Sequence, residues 1–267
     1  MGIVLATLAI GVVGLLVGLL LVWVAGKFEV KVDEKEAAVR DLLPGNNCGG
    51  CGYAGCDALA AAIAKGEAVV SACPVGGASV ASAISEVMGV EAGETKPMVA
   101  FVRCAGTCDK SKRKSEYYGV QDCRIAAVVP GKTSKKCSYG CMGFGTCVKE
   151  CPFDAIHLVD GVAVVDKAKC KACGKCVAVC PNQLIELVPH SAQYLVGCSS
   201  RDKGKITKGN CEAGCIGCKK CEKVCEQGAV SVENNVAKID YSKCINCGKC
   251  AEGCPTGIIR KKLARRA

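Results

Sequence analysis

Cys244-Ile245-Asn246-Cys247-Gly248-Lys249-Cys250-Ala251-Glu252-Gly253-Cys254-Pro255 reads C-x2-C-x2-C-x3-C-P. In this run three cysteines hold one iron–sulfur cluster and the fourth ligates a second one. The companion run lies upstream, at Cys215, Cys218, Cys221 and Cys225. Together they predict two [4Fe–4S] sites. One takes Cys215, Cys218, Cys221 and Cys254; the other takes Cys244, Cys247, Cys250 and Cys225. Pro255 follows Cys254, while Glu226 replaces the proline that usually follows the other fourth cysteine. That proline only helps a turn, so its loss is tolerable. Val230-Ser231-Val232 and Val236-Ala237-Lys238-Ile239 flank Asn234-Asn235 and predict a short hairpin. The expected unit has two short hairpins and two short helices in a pseudo-twofold arrangement.

Shifting back by 74 residues repeats this pattern without a gap. Cys137, Cys141, Cys147 and Cys151 fall on Cys211, Cys215, Cys221 and Cys225. Cys170, Cys173, Cys176 and Cys180 fall on Cys244, Cys247, Cys250 and Cys254, and Asp166 on Asp240. A constant shift across so many positions marks a tandem repeat. The first copy departs once: Phe144 stands where the second has Cys218. Cys170, Cys173, Cys176 and Cys151 still make a full set. Cys141, Cys147 and Cys180 are left with three ligands. Cys137 as the fourth, a [3Fe–4S] site and a non-Cys ligand all remain open. The choice decides the fate of Cys104, Cys108 and Cys123. With Cys137 they make a set of four; without it they need Cys198 or Cys211, or stay metal-free. The Cys198–Cys211 spacing mirrors Cys123–Cys137 with one residue fewer between, and reads as the same extension holding half a site.

A third Cys-rich segment precedes the repeats. Cys48, Cys51, Cys56 and Cys73 form C-x2-C-x4-C-x16-C. Asp57 to Lys65 reads as an Ala-rich helix ended by Gly66. Glycines at 49, 50, 52 and 55 let the backbone wrap a centre and aim N–H groups at sulfur. Four thiolates also suit zinc, but the glycines and the neighbouring ferredoxin patterns favour [4Fe–4S]. The cofactor expectation is thus four complete [4Fe–4S] sets, with a fifth and a sixth resting on the cysteines between 104 and 147.

Composition fits this reading. The 267 residues include 25 Cys and only 4% aromatics, so large apolar cores are excluded. Clustered spacing serves metal rather than a disulfide framework. The formal net charge of +10 counts Cys as neutral. Each four-thiolate cluster carries about −2 when oxidised, so the Lys and Arg excess is partly internal compensation and no nucleic-acid partner is expected. Ile3 to Ala25 is apolar and uncharged, long enough to span a bilayer at about 20 residues. Trp23 and Lys27 follow as interfacial residues, and Met1-Gly2 offers no basic signal-peptide region. A retained membrane anchor with a cytoplasmic body is expected. Lys27 to Asp41 reads as a charged linker, broken by Pro44-Gly45-Asn46-Asn47. Lys110-Ser111-Lys112-Arg113-Lys114 suits electrostatic steering of an acidic partner or a solvated loop. The tail from Arg260 to Arg266 suits solubility or contact with anionic lipid. His157 and His190 read as structural. No Gly-rich nucleotide fingerprint follows a predicted strand, so no NAD or flavin site is expected.

The expected fold class is α+β: a single N-terminal transmembrane helix, a small Gly/Cys-rich 4Fe–4S domain and two tandem ferredoxin-like 2[4Fe–4S] units. The boundaries run 1–26 for the anchor, 33–93 for the 4Fe–4S domain and 98–136 for a basic Cys-containing insert. The ferredoxin-like units take 137–190 and 198–260, and the basic tail 261–267.

Asn47-Cys48-Gly49-Gly50-Cys51-Gly52 after one N-terminal helix, with Cys147-Val148-Lys149-Glu150-Cys151-Pro152-Phe153 in a ferredoxin repeat, resembles the iron–sulfur B-subunit of the Rnf complex. This complex is the ion-translocating ferredoxin:NAD oxidoreductase of bacterial membranes. The resemblance covers essentially the whole chain and looks like the longer form. It implies that reduced soluble ferredoxin donates electrons to this chain. They pass to integral membrane and flavin-carrying subunits, and to NAD at an NADH-binding subunit, driving sodium ions or protons. It further implies a single-pass protein of the bacterial inner (plasma) membrane, part of a translocase, with no catalytic site of its own. A polyferredoxin component of another membrane complex, hydrogenase or corrinoid-linked, and a zinc-binding scaffold remain open on the residues alone.

Overall fold

The structure, a computed structural model, describes residues 2–27, 33–93 and 96–261. Helix α1 (Gly2–Lys27) holds no charge before Lys27. Lys27 Nζ sits 5.0 Å from the centre of the Trp23 ring, so these two residues contact each other. Among the described residues no helix is long and apolar enough to cross a membrane. The transmembrane helix expected in the fold class is corrected accordingly. The start of the expected linker (28–32) and nearly all of the basic tail (262–267) lie outside the described residues.

Three helices follow: α2 (Glu34–Leu42), α3 (Cys56–Ala64) and α4 (Gly77–Met88). The Asp33 carboxylate caps α2 by accepting from the Lys35 N–H at 3.0 Å. The Ala-rich sequence of α3 lets α2 approach closely. Val39, Leu59, Ile63 and Ile84 close the core they share with Cys56. Gly66 (φ 76°) takes the left-handed conformation that stops α3, as its sequence predicts.

The repeat in the cysteines is also a repeat in the backbone. In the first copy, β1 (Met98–Val102) leads by way of α5 (Cys123–Val128) to α6 (Thr146–Lys149). The hairpin β2 (Ile156–Val159) and β3 (Val162–Val165), helix α7 (Lys175–Val179) and β4 (Ile185–Pro189) complete it. The second has β5 (Tyr194–Val196), α8 (Gly204–Asn210), α9 (Lys220–Lys223), the hairpin β6 (Val230–Glu233) and β7 (Val236–Ile239), α10 (Lys249–Glu252) and β8 (Ile259–Lys261). From α6 to β3 every boundary recurs 74 residues later in α9 to β7. Asn234 and Asn235 both take positive φ, giving the hairpin turn expected between β6 and β7. Each copy also closes a second antiparallel pair, β1 with β4 and β5 with β8. Strand β1, inside the segment read as a basic insert, thus completes the first copy by pairing Met98 with Pro189 and Val102 with Ile185.

The helical module touches the first copy at one tight point. A Cβ on Gly50 would lie 2.6 Å from the Cys173 carbonyl oxygen, with backbone on both sides. Gly50→Ala must push the module away, at a cost of about 1–3 kcal/mol. Proteolysis in the 93–98 connection should accelerate in this variant. A cleavage rate equal to that of the parent chain would contradict the contact.

Candidate metal centres

The cysteines gather in groups of four. Cys123, Cys141, Cys147 and Cys180 line a cavity of about 420 Å³, mouth included, with Val102, Leu184 and Ile185 as apolar wall. Cys151, Cys170, Cys173 and Cys176 line one of about 310 Å³. Cys215, Cys218, Cys221 and Cys254 line another of about 310 Å³. A fourth, of about 380 Å³, is lined by Cys104, Cys137, Cys198 and Cys211. Mutual influence between thiols marks two more groups. Burial pushes the Cys73 thiol up, and Cys56 and Cys48 add to the push; Cys51 packs in the same core. Burial likewise raises Cys250, with Cys244, Cys225 and Cys247 adding to it. All 25 cysteines are free thiols, and Cys108, which is exposed, falls outside every group.

Two of these groups differ from the simplest sequence reading. Cys123, rather than Cys137, joins the three cysteines left short by Phe144. Its placement is built: the Asp122 carboxylate caps α5, accepting from Arg124 N–H at 2.8 Å. The Cys123 N–H donates to the buried Thr146 hydroxyl at 2.7 Å. Phe144 turns to the Tyr117 ring, 4.8 Å between centres. The second difference concerns Cys198. It follows β5 at the same interval as Cys104 follows β1, so its counterpart is Cys104 and not Cys123. The long stretch between Cys104 and Cys137 hides this relation. Each copy therefore contributes two cysteines to the cavity between them. Cys198 and Cys211, without a sequence-assigned set, stand there with Cys104 and Cys137. Cys108, grouped with them by the sequence, does not.

Several of the thiols are buried deeply enough to hold their protons tightly. Burial pushes Cys147 and Cys176 up to about 12, and Cys198 and Cys221 up to about 11. At Cys254 burial also pushes upward, but the Ile259 N–H and the hydroxyl and N–H of Thr256 outweigh it and lower the pKa. Backbone N–H groups point at sulfur throughout: Ala100 at Cys170, Ala155 at Cys151, Leu184 at Cys180 and Ser200 at Cys198, each at 3.4 Å. Such donors are worth far more to a thiolate than to a thiol. The sites are arranged for a charged sulfur that only a bound cationic centre makes stable.

The donor sets fit a polynuclear cluster better than one ion. A single zinc with sulfurs at 2.3 Å holds them about 3.8 Å apart. Among the described residues no group of three or more Cys, His, Asp or Glu is arranged to hold a single metal ion. The cavity between the copies carries a further mark. Lys135 is 5% exposed, and its ammonium donates to the carbonyls of Gly106 at 2.8 Å and Gly161 at 2.7 Å. Ser111 is 4% exposed and its hydroxyl has no partner. Both residues line the cavity with the four cysteines. An anionic centre there answers a buried cation and an orphaned donor together.

Comparison with known proteins agrees. Residues 43–75 match the model described as a putative Fe-S cluster. Residues 145–191 match the LdpA Fe-S cluster-binding domain, and residues 214–258 the 4Fe-4S dicluster domain. The chain is 51% identical, over 88% of its length and 70% of the relative's, to the B-subunit of the Na(+)-translocating ferredoxin:NAD(+) oxidoreductase complex of Acetobacterium woodii. It is 46% identical to the B-subunit of the ion-translocating oxidoreductase complex of Methanosarcina acetivorans, over 86% and 87% of the two chains. It is 40% identical to the B-subunit of the proton-translocating ferredoxin:NAD(+) oxidoreductase complex of Clostridium ljungdahlii, over 86% and 82%. The cofactors are several [4Fe–4S] clusters.

Thr146→Val removes the hydroxyl that accepts the Cys123 N–H and leaves that buried group unpaired, at about 1–3 kcal/mol. Hydrogen exchange of residues 123–128 should speed up by roughly tenfold or more, since 1.4 kcal/mol is tenfold. Unaltered exchange would show that Thr146 does not hold Cys123 in place.

Proposed function

The chain belongs to the B-subunit family of ion-translocating oxidoreductase (Rnf) complexes, and we propose that its six groups of four cysteines each hold one [4Fe–4S] cluster in a single relay. The role itself is electron transfer within an ion-translocating ferredoxin:NAD oxidoreductase. The observation that carries the relay is the partition of the cysteines. Four sets line their own cavities. Cys48, Cys51, Cys56 and Cys73 make the fifth, and Cys225, Cys244, Cys247 and Cys250 the sixth.

Contacts between neighbouring sets support a linear order. Burial raises the half-buried Cys173 thiol and Cys48 adds to the push, beside the Gly50 contact. Cys176 acts on Cys147. The Cys141 N–H donates to Cys104 sulfur at 3.3 Å. The Cys215 N–H donates to Cys198, and the last two sets share one core through Cys221 and Cys250. A bound [4Fe–4S] cluster supplies a one-electron centre at each stop. The protein's part is to fix the sulfurs, exclude water and direct N–H groups at the charge. No residue is assigned a bond-making role.

The domain limits follow with one revision. Residues 33–93 form the helical 4Fe–4S module and 198–260 the second ferredoxin-like unit. The 98–136 segment works with the 137–190 unit, because β1 completes its sheet and Cys123 its fourth ligand.

Other subunits of the complex are partners of the chain, and membership in an ion-translocating complex associates it with a membrane. Reduced soluble ferredoxin is proposed as the donor at the C-terminal end. Cys218 and Cys247 are exposed there, Ile245 is 63% exposed, and Lys219, Lys220 and Lys223 lie open beside them. The run Lys110–Lys114, the other basic patch, overlies the buried Cys211 by way of Ser111, so exposure favours the C-terminal end. The Cys48 set closes the opposite end and faces the integral membrane, flavin-carrying and NADH-binding subunits.

Cys123→Ser should lower iron by about four atoms per chain, one cluster's worth, whereas Cys108→Ser should lower it by none. The reverse pattern would refute the assignment of the Phe144-interrupted site. Reversing charge at Lys219, Lys220 and Lys223 together should slow ferredoxin oxidation by roughly tenfold or more at low salt, with the gap closing as salt rises. A rate unchanged at low salt would place the docking face elsewhere.

A further inference from the structure

We propose that Lys135, assisted by Ser111, raises the reduction potential of the cluster shared by Cys104, Cys137, Cys198 and Cys211 above that of its neighbours. This rests on the ring assignment made above. The four sulfurs come in equivalent pairs from the two copies, but the charge around them does not. The 74-residue shift puts Gly209 opposite Lys135. Both cations that line the shared cavity, Lys135 and Arg103, come from the first copy, and Arg103 already pairs with the Glu186 carboxylate at 3.6 Å, which leaves Lys135 as the cation without an anion.

The segment 107–133 explains how that cation is held. Its strand-like start bridges Ser111 to Cys211 and Arg113 to Lys135. The Lys114 N–H donates to the Ser134 carbonyl at 2.8 Å, and the Lys136 N–H to the Lys112 carbonyl at 2.7 Å. This lacing pins the backbone on both sides of Lys135. The carbonyls of Gly106 and Gly161 then take two of the ammonium's three N–H groups. No carboxylate pairs with Lys135 among the described residues. The ammonium thus lines the same cavity as the four cysteines of the shared ring.

A buried cation with two neutral acceptors and no anion is expensive to maintain. An iron–sulfur centre of net negative charge relieves that cost, and relieves it further once reduced. Reduction adds one electron to the centre, making it one charge more negative, with no bond formed or broken and no proton required. The electron comes from a neighbouring centre and leaves to the next. Fixed positive charge and hydrogen-bond donors favour the reduced form and raise the potential. The Ser111 hydroxyl, buried without a partner in the same cavity, is a second such donor. The shared ring then becomes the stop in the relay where an electron rests most favourably.

The test uses the full chain with its clusters, titrated electrochemically and followed by EPR. Lys135→Met should shift one signal to more negative potential by at least a factor of ten in its reduction equilibrium, 59 mV for one electron. The remaining signals should stay in place, and Lys135→Arg should restore the parent value. Ser111→Ala should shift the same signal in the same direction by a smaller factor. Full iron content with every potential unchanged in Lys135→Met overturns the proposal. If Lys135→Met loses the cluster, Ser111→Ala decides: a shifted signal upholds the tuning and an unchanged one overturns it. Cys137→Ala is the separate control. Iron content unaffected by it would refute the ring assignment rather than the tuning.

Discussion

A ring of four buried thiols is unfavourable until something cationic sits among them. Burial holds the protons of Cys147 and Cys176 on to about pH 12, and the N–H groups aimed at the sulfurs find their full strength only with thiolates. The chain has little else to fold around. Among the described residues the largest fully buried side chains are a few Leu, Ile and Val residues and Thr207, and three of the four apolar cores contain buried cysteines. Ligation and folding are therefore one process here. Short helices of four or five residues such as α6, α9 and α10 lack the length to persist alone; they exist to present Cys147, Cys221 and Cys250.

The same constraint explains how two copies of a small unit become one body. Each copy keeps two sulfurs, after β1 or β5 and ahead of its first ferredoxin run, that cannot complete a site alone. Facing each other, Cys104 and Cys137 with Cys198 and Cys211 make a whole one. A four-thiolate site binds the copies far more firmly than apolar contact at this size. In the proposed relay it also joins two separate two-cluster units. The helical module joins the opposite end through a much smaller contact, Gly50 against Cys173.

Much of this was legible in the sequence because ligand spacing is a local property. The runs around Cys151–Cys180 and Cys215–Cys254, the hairpin at Asn234-Asn235 and the Ala-rich α3 ended by Gly66 all follow from residues near one another. The family resemblance did too, on the glycine-spaced module and the repeat. What the sequence hid depended on distant partners. Cys123 reaches its ring across 18 residues to Cys141, held by a Thr146 hydroxyl that no spacing rule flags. Cys198 looks like the partner of Cys123 by interval and proves to be that of Cys104 by strand position. Lys135 read as one charge in a basic stretch, and its burial appears only when the 111–114 segment is laced to it. The N-terminal apolar run shows the converse. Composition alone pointed to a membrane-crossing helix, which the described residues do not supply.

The account stands most directly on one number, the iron and acid-labile sulfide content of the chain purified without oxygen. Six four-cysteine rings predict about 24 iron and about 24 sulfide atoms per chain, four of each per cluster. A value near 20 or below in fully loaded protein, with no further gain on reconstitution, would contradict it by removing at least one ring, and with it the unbroken relay.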